Sequence, residues 1–232
     1  MHWRVIPFSL GDPAWNMAVD EAILGCFIAG EAPPTLRFYG WTQPAVTIGR
    51  LQPVSSVPEG WGTCVVRRPT GGRAVRHGTD LTFSLVCEAA ELGSPVRESY
   101  RRVGQAVASA LLVLGLPAQF CRSTTAPSSV RRTADCFELT LDHEVSVGGR
   151  KVLGSAQTRR SGAVLQQNSL AGPPGRWWPD CGRLAAAVAD ALEAEFGVEL
   201  VRGELSAAEI RIARTLADSK YAAEAWTLLR SV

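Results

Sequence analysis

The sequence predicts an α+β fold in which a largely antiparallel or mixed sheet is flanked by helices. Helical and strand periods interleave along the 232 residues without the strict alternation of a doubly wound parallel sheet. Hydrophobic residues make up 46% and charged residues 20%, as in ordinary globular proteins. No repeat or obvious linker divides the chain, so we expect one domain over residues 1–232, with a C-terminal helical piece from about residue 180 packed on it.

The first ninety residues predict one helix followed by strands. Asp12 as N-cap and Pro13 at the first helical position begin a helix that runs to residue 27, with Asn16, Asp20 and Glu21 as its polar members. Short β-type runs between Pro and Gly signals predict strands at 36–39, 45–48 and 63–68. A strict alternation over 80–88 predicts a strand with one buried face.

The middle of the chain predicts a long helix and then a hairpin. An amphipathic helix over 94–114 ends at Gly115 and Pro117, and a strand is expected at 118–121. Residues 122–135, which are rich in Ser, Thr and Arg, predict an exposed loop. Strands at 144–147 and 151–156 on either side of a Gly-Gly turn predict a hairpin, and 163–170 supplies a third strand.

Capping signals place the last two helices. Asp180 is the expected N-cap of a helix that ends at residue 196. Ser206 and Glu209 form a capping-box pattern that begins a final helix ending at Leu216.

Composition excludes several classes of function. A net charge of +2 and a pI near 8.3, without a clustered basic stripe, give no indication of nucleic-acid binding. The apolar run at 106–116 is too short to span a bilayer, and the first residues lack the pattern of a secretory leader, so we expect a cytoplasmic protein without membrane contact. The six cysteines show no CxxC pair, hence no metal site or disulfide framework is expected.

Cys136 and Lys151 are the candidate catalytic residues. The chain has 24 basic residues, of which only Lys151 and Lys220 are lysine, and lysine can exchange a proton where arginine effectively cannot. Cys136 follows the predicted loop, where Lys151 and the basic residues Arg131 and Arg132 would favour the thiolate that attacks. On these residues alone, a buried inert thiol and a solvated strand-edge lysine remain open alternatives.

A second candidate site is the run RRPTGGRAVRH at 67–77. Paired glycines let the backbone approach a ligand closely, and the arginines add positive charge suited to a phosphate, a carboxylate or a thioester carbonyl. The run is neither a Walker A loop nor a dinucleotide fingerprint. A hairpin turn with solvated arginines is the alternative. Of the three histidines, His77 is the candidate to face a cleft, since His2 is terminal and His143 lies seven residues past Cys136.

Together these motifs resemble the lipoate-protein ligase and octanoyltransferase superfamily, and most closely its LipM-type octanoyltransferases. The resemblance is carried in order along nearly the whole chain by NMAVDEAIL, RFYGWTQPAVTIG, RRPTGGRAVRHGTDLTFSLV, CFELTLDHEVSVGGRKVLGSAQTRRSGAVLQ and LADSKYAAEAW. It implies an α/β catalytic domain of the kind shared with biotin ligases.

The resemblance also implies an activity. In such enzymes a cysteine takes octanoyl from acyl carrier protein as a thioester, a lysine fifteen residues on favours its thiolate, and the acyl group then passes to the lipoyl-domain lysine of a partner such as the glycine cleavage H protein. Cys136 and Lys151 match both residue types and the spacing, and neither a metal nor another cofactor is implied. The substrate-binding residues expected around them are Arg68, Thr70, Gly71, Gly72, His77, Gly154, Ser155 and Ala156.

Two other functions are alternatives to this interpretation, and the sequence departs from the family pattern at one place. An ATP-dependent lipoate-protein ligase would use the equivalent lysine without a catalytic cysteine, and a non-catalytic lipoyl-domain binding protein would keep the fold alone. The sequence departs from the family where Gln167-Asn168 replaces a usual His-Gly.

Overall fold

Strands and helices alternate irregularly in the computed structural model, which describes residues 1–62, 64–120, 136–137, 144–172, 178 and 180–229. The strands are β1 (His2–Gly11), β2 (Thr35–Trp41), β3 (Ala45–Ile48), β4 (Val65–Arg67), β5 (Val75–His77), β6 (Leu81–Glu88), β7 (Ala118–Phe120), β8 (Val145–Val147), β9 (Arg150–Lys151), β10 (Leu153–Arg160), β11 (Ala163–Leu170) and β12 (Glu199–Arg202). The α-helices are α1 (Pro13–Ile28), α2 (Ala89–Leu92), α3 (Val96–Val113), α4 (Cys181–Phe196) and α5 (Ala207–Leu216).

A six-stranded mixed sheet organises the fold. Its order is β10-β11-β6-β2-β1-β12, in which β1 runs parallel to both of its neighbours and the other pairs are antiparallel. Two three-stranded sheets, β4-β3-β5 and β7-β8-β9, lie beside it. One hydrophobic core contains residues of α1 and α5, and a second contains residues of α3 and α4. The predicted α+β class with a mixed sheet is therefore confirmed.

The capping residues begin the helices where the sequence predicts. Asp12 accepts a hydrogen bond from the backbone N–H of Trp15 at 2.9 Å, and Asp180 accepts one from Arg183 N–H at 2.9 Å. Ser206 and Glu209 form both bonds of a capping box at the start of α5. Such caps satisfy N–H groups that have no partner inside the helix.

Strand β6 corrects the prediction of a single buried face. Its residues are buried on both faces from Leu81 to Cys87. The polar alternates remain inside because they are bonded: Thr82 donates to Asp80 at 2.9 Å and Ser84 donates to Asp20 at 2.8 Å. A hydroxyl with a partner loses little by burial, so period-two polarity does not mark a solvent face here.

The predicted hairpin strand at 151–156 is also corrected, because it is divided at Val152. The residues before Val152 form β9, which pairs with β8 in a small sheet, whereas those after it form β10, which pairs with β11 in the large sheet. Val152 donates to Val145 O at 2.9 Å, and its carbonyl accepts from Ala171 N at 2.8 Å. One short run of chain therefore joins Lys151 to the large sheet.

Other differences are at element ends and in missed elements. The expected strands at 36–39 and 63–68 are Thr35–Trp41 and Val65–Arg67, and the short helix α2 was not expected. Strand β1 was missed because Pro7 lies within it and a register shift between Ile6 and Ser9 breaks its alternation. The predicted loop at 122–135 lies outside the described residues. Nowhere in the described ranges is a helix both long and apolar enough to cross a bilayer.

Candidate active site

One row of residues crosses four strands of the large sheet on the face that carries the site. Gly154 of β10 lies opposite Ser169 of β11, Ser169 opposite Thr82 of β6, and Thr82 opposite Tyr39 of β2. The next row pairs Ala156 with Gln167 and continues to residues buried beneath α1. The first row and the Ala156–Gln167 pair therefore line a cleft, whereas Ser84 and Arg37, further along the second row, bond to α1.

The cleft encloses about 380 Å³ including its open mouth. Its buried end contains Met17, Tyr39 and Trp41, each exposed by 6% or less, whereas Gly72 and Cys136 at the other end are accessible. Its surface is mostly apolar although many of its residues are polar, because their polar atoms are bonded to one another. The lining residues are Met17, Tyr39, Trp41, Thr47, Arg68, Gly72, Val75, His77, Thr82, Cys136, Gly154, Ser155, Ala156, Gln167, Asn168 and Ser169.

Cys136 lies at the accessible end of this row. Its backbone N–H donates to the carbonyl of Ala74 at 3.0 Å, which ties it to the residue before β5. Its Sγ lies 3.4 Å from the point where a Cβ on Gly154 would stand, so the sulfur sits over the first member of the row. A thiol in this position can reach a molecule that enters the cleft from its mouth.

Lys151 lies against Cys136 from the neighbouring small sheet. Its Nζ donates to the carbonyl oxygen of Cys136 at 2.7 Å and lies 3.8 Å from Sγ. The same ammonium forms a salt bridge with Glu144, and the lysine side chain is 2% exposed. The structure therefore brings together the two residues that the sequence predicts as catalytic, and adds a carboxylate that the sequence did not indicate.

The Gly-Gly turn closes tightly against the end of β3. A Cβ on Gly49 would stand 2.0 Å from the carbonyl oxygen of Gly72, so only glycine permits this approach. Gly72 also has a φ of 87°, in the region that favours glycine. Gly71 does not line the cleft, but its carbonyl accepts from Arg68. The turn thus holds the mouth of the cleft by backbone contacts.

Arg68 is a buried cation that braces this turn. Its Nη1 donates to the carbonyl and hydroxyl oxygens of Thr47 at 2.9 and 2.8 Å, and its Nη2 donates to the carbonyls of Gly71 and Arg73 at 2.8 and 2.9 Å. Burial lowers the pKa of Arg68 to about 10, and the nearby Cys136 acts in the opposite direction. The positive charge of Arg68 therefore lies next to the cleft, while its N–H groups are used in hydrogen bonds to the protein itself.

Asp80 fixes the buried end. Its carboxylate accepts from Thr82, Ser169 and the backbone N–H of Gly78, and it pairs with Nδ1 of His77 at 2.8 Å. Burial acts to raise the pKa of Asp80, but His77 and these donors outweigh it, and the net pKa is below its usual value.

His77 and Trp41 are held by this carboxylate. Nε2 of His77 lies 2.8 Å from Thr47 Oγ1, and its ring stacks on Trp41 with centroids 4.0 Å apart. Trp41 Nε1 donates to Thr82 Oγ1 at 3.0 Å. Asp80 therefore holds the His77 ring directly, and it holds the Trp41 ring through Thr82.

A second carboxylate, Asp20, lies beneath the cleft wall. It is fully buried and accepts from Arg37, Tyr39 and Gln167 at 2.7 to 2.8 Å, in addition to Ser84. Gln167 accepts in turn from Thr70 Oγ1 at 2.7 Å, which places Thr70 behind the lining. Sequence reasoning missed this network, although a carboxylate in a helix whose other residues are almost all apolar is the signal that could have found it.

Most of the predicted substrate-binding residues line one cleft together with Cys136, while Thr70, Gly71 and Lys151 lie directly behind it. The lining members are Arg68, Gly72, His77, Gly154, Ser155 and Ala156. The departure Gln167-Asn168 also lines the cleft. His143, Arg131 and Arg132 lie outside the described residues. Lys220, the other lysine, forms a salt bridge with Glu21 at 2.8 Å.

Comparison with known proteins gives concordant similarities. Residues 12–171 match the family described as the lipoyl protein ligase A/B catalytic domain. Octanoyltransferase LipM of Symbiobacterium thermophilum is 34% identical over 98% of this chain and 98% of that protein. Octanoyltransferase LipM of Moorella thermoacetica is 40% identical over 72% of this chain, and the alignment spans 64% of that longer protein.

Solved structures share the fold. Protein Ta0514 from T. acidophilum superposes with a TM-score of 0.82 at 24% identity, covering 98% of this chain and 99% of that one. A lipoate-protein ligase A bound with ATP superposes with a TM-score of 0.79 at 24% identity, covering 98% and 99%. At this identity the similarity establishes the architecture.

Proposed function

Because this chain belongs to the octanoyltransferase LipM group of the lipoyl protein ligase A/B family, and is therefore an acyltransferase, we propose that it makes an octanoyl thioester on Cys136 in lipoate biosynthesis. The donor is octanoyl acyl carrier protein. The acceptor is the lipoyl-domain lysine of a partner, such as the glycine cleavage H protein.

The observation that supports this proposal is the position of Lys151 beside Cys136 at the mouth of the cleft. The ammonium of Lys151, 3.8 Å from Sγ, would attract the negative charge of the attacking sulfur. The mostly apolar cleft that begins at the sulfur suits a hydrocarbon chain. The nucleophilic cysteine, the cation beside it and the apolar cleft are therefore adjacent, as the formation of a thioester with a hydrocarbon chain requires.

In the first step the Cys136 thiolate attacks the carbonyl carbon of the donor thioester. A new S–C bond forms, the bond between the carbonyl carbon and the carrier sulfur breaks, and the carrier leaves as its thiol after taking the proton released by Cys136. The charged groups of Lys151 and Arg68 both lie near Cys136, and such charges stabilise an oxyanion that forms beside the sulfur.

In the second step the neutral amine of the acceptor lysine attacks the Cys136 thioester. A C–N bond forms, the S–C bond breaks, and the proton lost by the amine returns to the cysteine. The thiol is regenerated, and no oxidant, reductant or nucleotide is consumed.

Intact-protein mass spectrometry tests the proposal. The chain is mixed with octanoyl acyl carrier protein as wild type, as Cys136→Ser and as Cys64→Ser, the last altering another partly buried thiol outside the cleft lining. We expect one hydroxylamine-labile octanoyl adduct on wild type and on Cys64→Ser, and none on Cys136→Ser. Addition of a lipoyl domain should remove the adduct and leave an octanoyl amide on that domain.

A parallel reaction with ATP and free octanoate or lipoate distinguishes the rival activities. Modification of the lipoyl domain that needs ATP and survives in Cys136→Ser would identify a ligase in which Cys136 is structural. Binding of the lipoyl domain without modification from either donor would identify a non-catalytic binding protein.

A further inference from the structure

Arg67, the first arginine of the run at 67–77, is fully buried at the end of β4 and does not line the cleft. Its Nη1 donates to three carbonyls of the loop that follows β3, those of Gly49, Arg50 and Gln52, at 2.8, 3.1 and 2.7 Å. Burying a charged group costs free energy unless its donors are bonded. The loop after β3 is therefore one of the segments that this guanidinium holds.

The same guanidinium also bonds residues near the end of the described chain. Its Nε donates to the carbonyls of Trp226 and Thr227 at 3.1 and 3.2 Å, and its Nη2 donates to Thr227 O at 2.6 Å. In return, Trp226 Nε1 donates to the carbonyl of Arg67 at 2.8 Å. Arg67 therefore joins the loop after β3 to residues 159 and 160 positions beyond itself.

These C-terminal residues are bonded to helix α1 as well. Glu21 of α1 accepts from Lys220 Nζ at 2.8 Å and from Tyr221 Oη at 2.6 Å, so loss of one donor leaves the other. Met17, one helical turn before Glu21, lines the cleft. Residues 217–228, which we call the C-terminal clamp, therefore connect a helix that lines the cleft with the loop after β3.

The loop after β3 in turn supports the mouth of the cleft. Gly49, whose carbonyl the guanidinium holds, packs against Gly72 without room for a Cβ. The N–H of Arg50 donates to the carbonyl of Thr70 at 2.8 Å, directly before the Gly-Gly turn. A shift of this loop would move the turn that borders the mouth together with Cys136, and a misplacement of about 1 Å can cost about a hundredfold in rate.

We propose that Arg67 is a positioning residue for the acyl transfer, through which the C-terminal clamp holds the Gly-Gly turn in the geometry that the donor thioester requires. The inference rests on the proposed function and deepens it. Because Arg67 lies outside the cleft lining, it acts on the turn and not on the acyl group. Its role therefore differs from that of Arg68, which borders the cleft.

Arg67→Lys tests this role, because an ammonium keeps the charge but cannot bond both segments as the planar guanidinium does. Trp226→Phe removes the bond from Nε1 to the carbonyl of Arg67 and keeps an aromatic ring. The control is Arg4→Lys, since Arg4 is another largely buried arginine, which bonds Glu209 of α5 and does not line the cleft. Thermal melting of each full-length protein gives a temperature at which all of them are folded.

Two rates at Cys136 are compared at that temperature. The first is the single-turnover rate of octanoyl transfer from saturating octanoyl acyl carrier protein. The second is the rate of alkylation by iodoacetamide, a small reagent that needs the thiol but no positioned carbonyl group. Peptide mapping of the alkylated protein also follows Cys26 and Cys87, which are 1% and 0% exposed and react only when the protein opens.

We expect Arg67→Lys to slow octanoyl transfer roughly tenfold or more, because misplaced reacting groups lose rate on this scale. Alkylation of Cys136 should keep the wild-type rate, and Cys26 and Cys87 should stay protected. Trp226→Phe should slow the transfer less than Arg67→Lys does. Arg4→Lys should transfer octanoyl at the wild-type rate.

The possible failures are distinct. A wild type that forms no adduct overturns the proposed function, and the positioning role with it. A wild type that forms the adduct while folded Arg67→Lys transfers octanoyl equally fast overturns the positioning role alone. Equal slowing by Arg4→Lys, or alkylation of Cys26 and Cys87, would also overturn it, because the effect would then come from lost stability.

If Arg67→Lys does not fold, Trp226→Phe decides between the outcomes. Slower transfer with both buried thiols protected would support the positioning role, and transfer at the wild-type rate would overturn it.

Discussion

Replacing Lys151 by Met removes the positive charge beside Cys136 while keeping an unbranched side chain. At 3.8 Å, two unit charges interact by about 1 kcal/mol in water and about 4 kcal/mol at the effective dielectric of a protein surface. Cys136 is partly exposed, so we expect about 2 kcal/mol, which is roughly a thirtyfold slower attack on the donor thioester.

The assay is the single-turnover rate of adduct formation on Cys136 with octanoyl acyl carrier protein in excess. Lys220→Met is the matched control, because it removes the other lysine, which pairs with Glu21 outside the cleft lining. The double variant Lys151→Met with Glu144→Gln removes both charges of the salt bridge. It should be faster than Lys151→Met alone, in which the negative charge of Glu144 remains near the sulfur without the lysine charge that offsets it.

The reasoning would be refuted by a Lys151→Met protein that is folded and forms the adduct at the wild-type rate. Equal slowing by Lys220→Met would also refute it, because the effect would then not come from proximity to Cys136. If the double variant formed the adduct more slowly than Lys151→Met, Glu144 would contribute something other than its negative charge.

Two further predictions concern stability. Asp80→Asn should be less stable than wild type at neutral pH: the depressed pKa of Asp80 contributes stability that is present above the unfolded value of about 4 and lost as pH falls through the folded one. Urea unfolding from pH 7 to pH 3 should therefore show the difference shrinking with acid, and a constant difference would contradict the assignment. Gly49→Ala should lower the melting temperature by roughly 2–12 °C, because its Cβ would meet the carbonyl of Gly72. Gly25→Ala, which meets nothing within 4 Å in α1, should not be destabilised, and equal losses in both would refute the clash.

Local signals account for what could be predicted from the sequence. Asp12, Asp180 and Ser206 each bond within three residues along the chain, so their caps are visible in a short window. The pairing of Cys136 with Lys151 came from a family resemblance and a spacing of fifteen residues. Both kinds of signal can be read from the sequence without knowledge of the tertiary structure.

The features that could not be predicted from the sequence depend on contacts between residues that are far apart along the chain. Trp41 meets His77 and Thr82 across 36 and 41 positions, and Gln167 meets Asp20 across 147. Each of these side chains is polar or amphipathic, and its burial depends on partners that only the folded sheet supplies. The partners of these buried side chains were therefore not predictable from periodicity or motif.

The scarcity of lysine has a consequence for the proposed transfer of an acyl group to a lysine. Of the chain's two lysines, Lys151 is held by Glu144 and is almost fully buried, and Lys220 is held by Glu21 and lies over the ring of Trp226. The other basic side chains apart from histidine are arginine, whose guanidinium keeps its proton and is a poor nucleophile. In the proposed mechanism, the side chains of the protein would therefore offer the Cys136 thioester almost no free amine that could take the acyl group in place of the acceptor lysine.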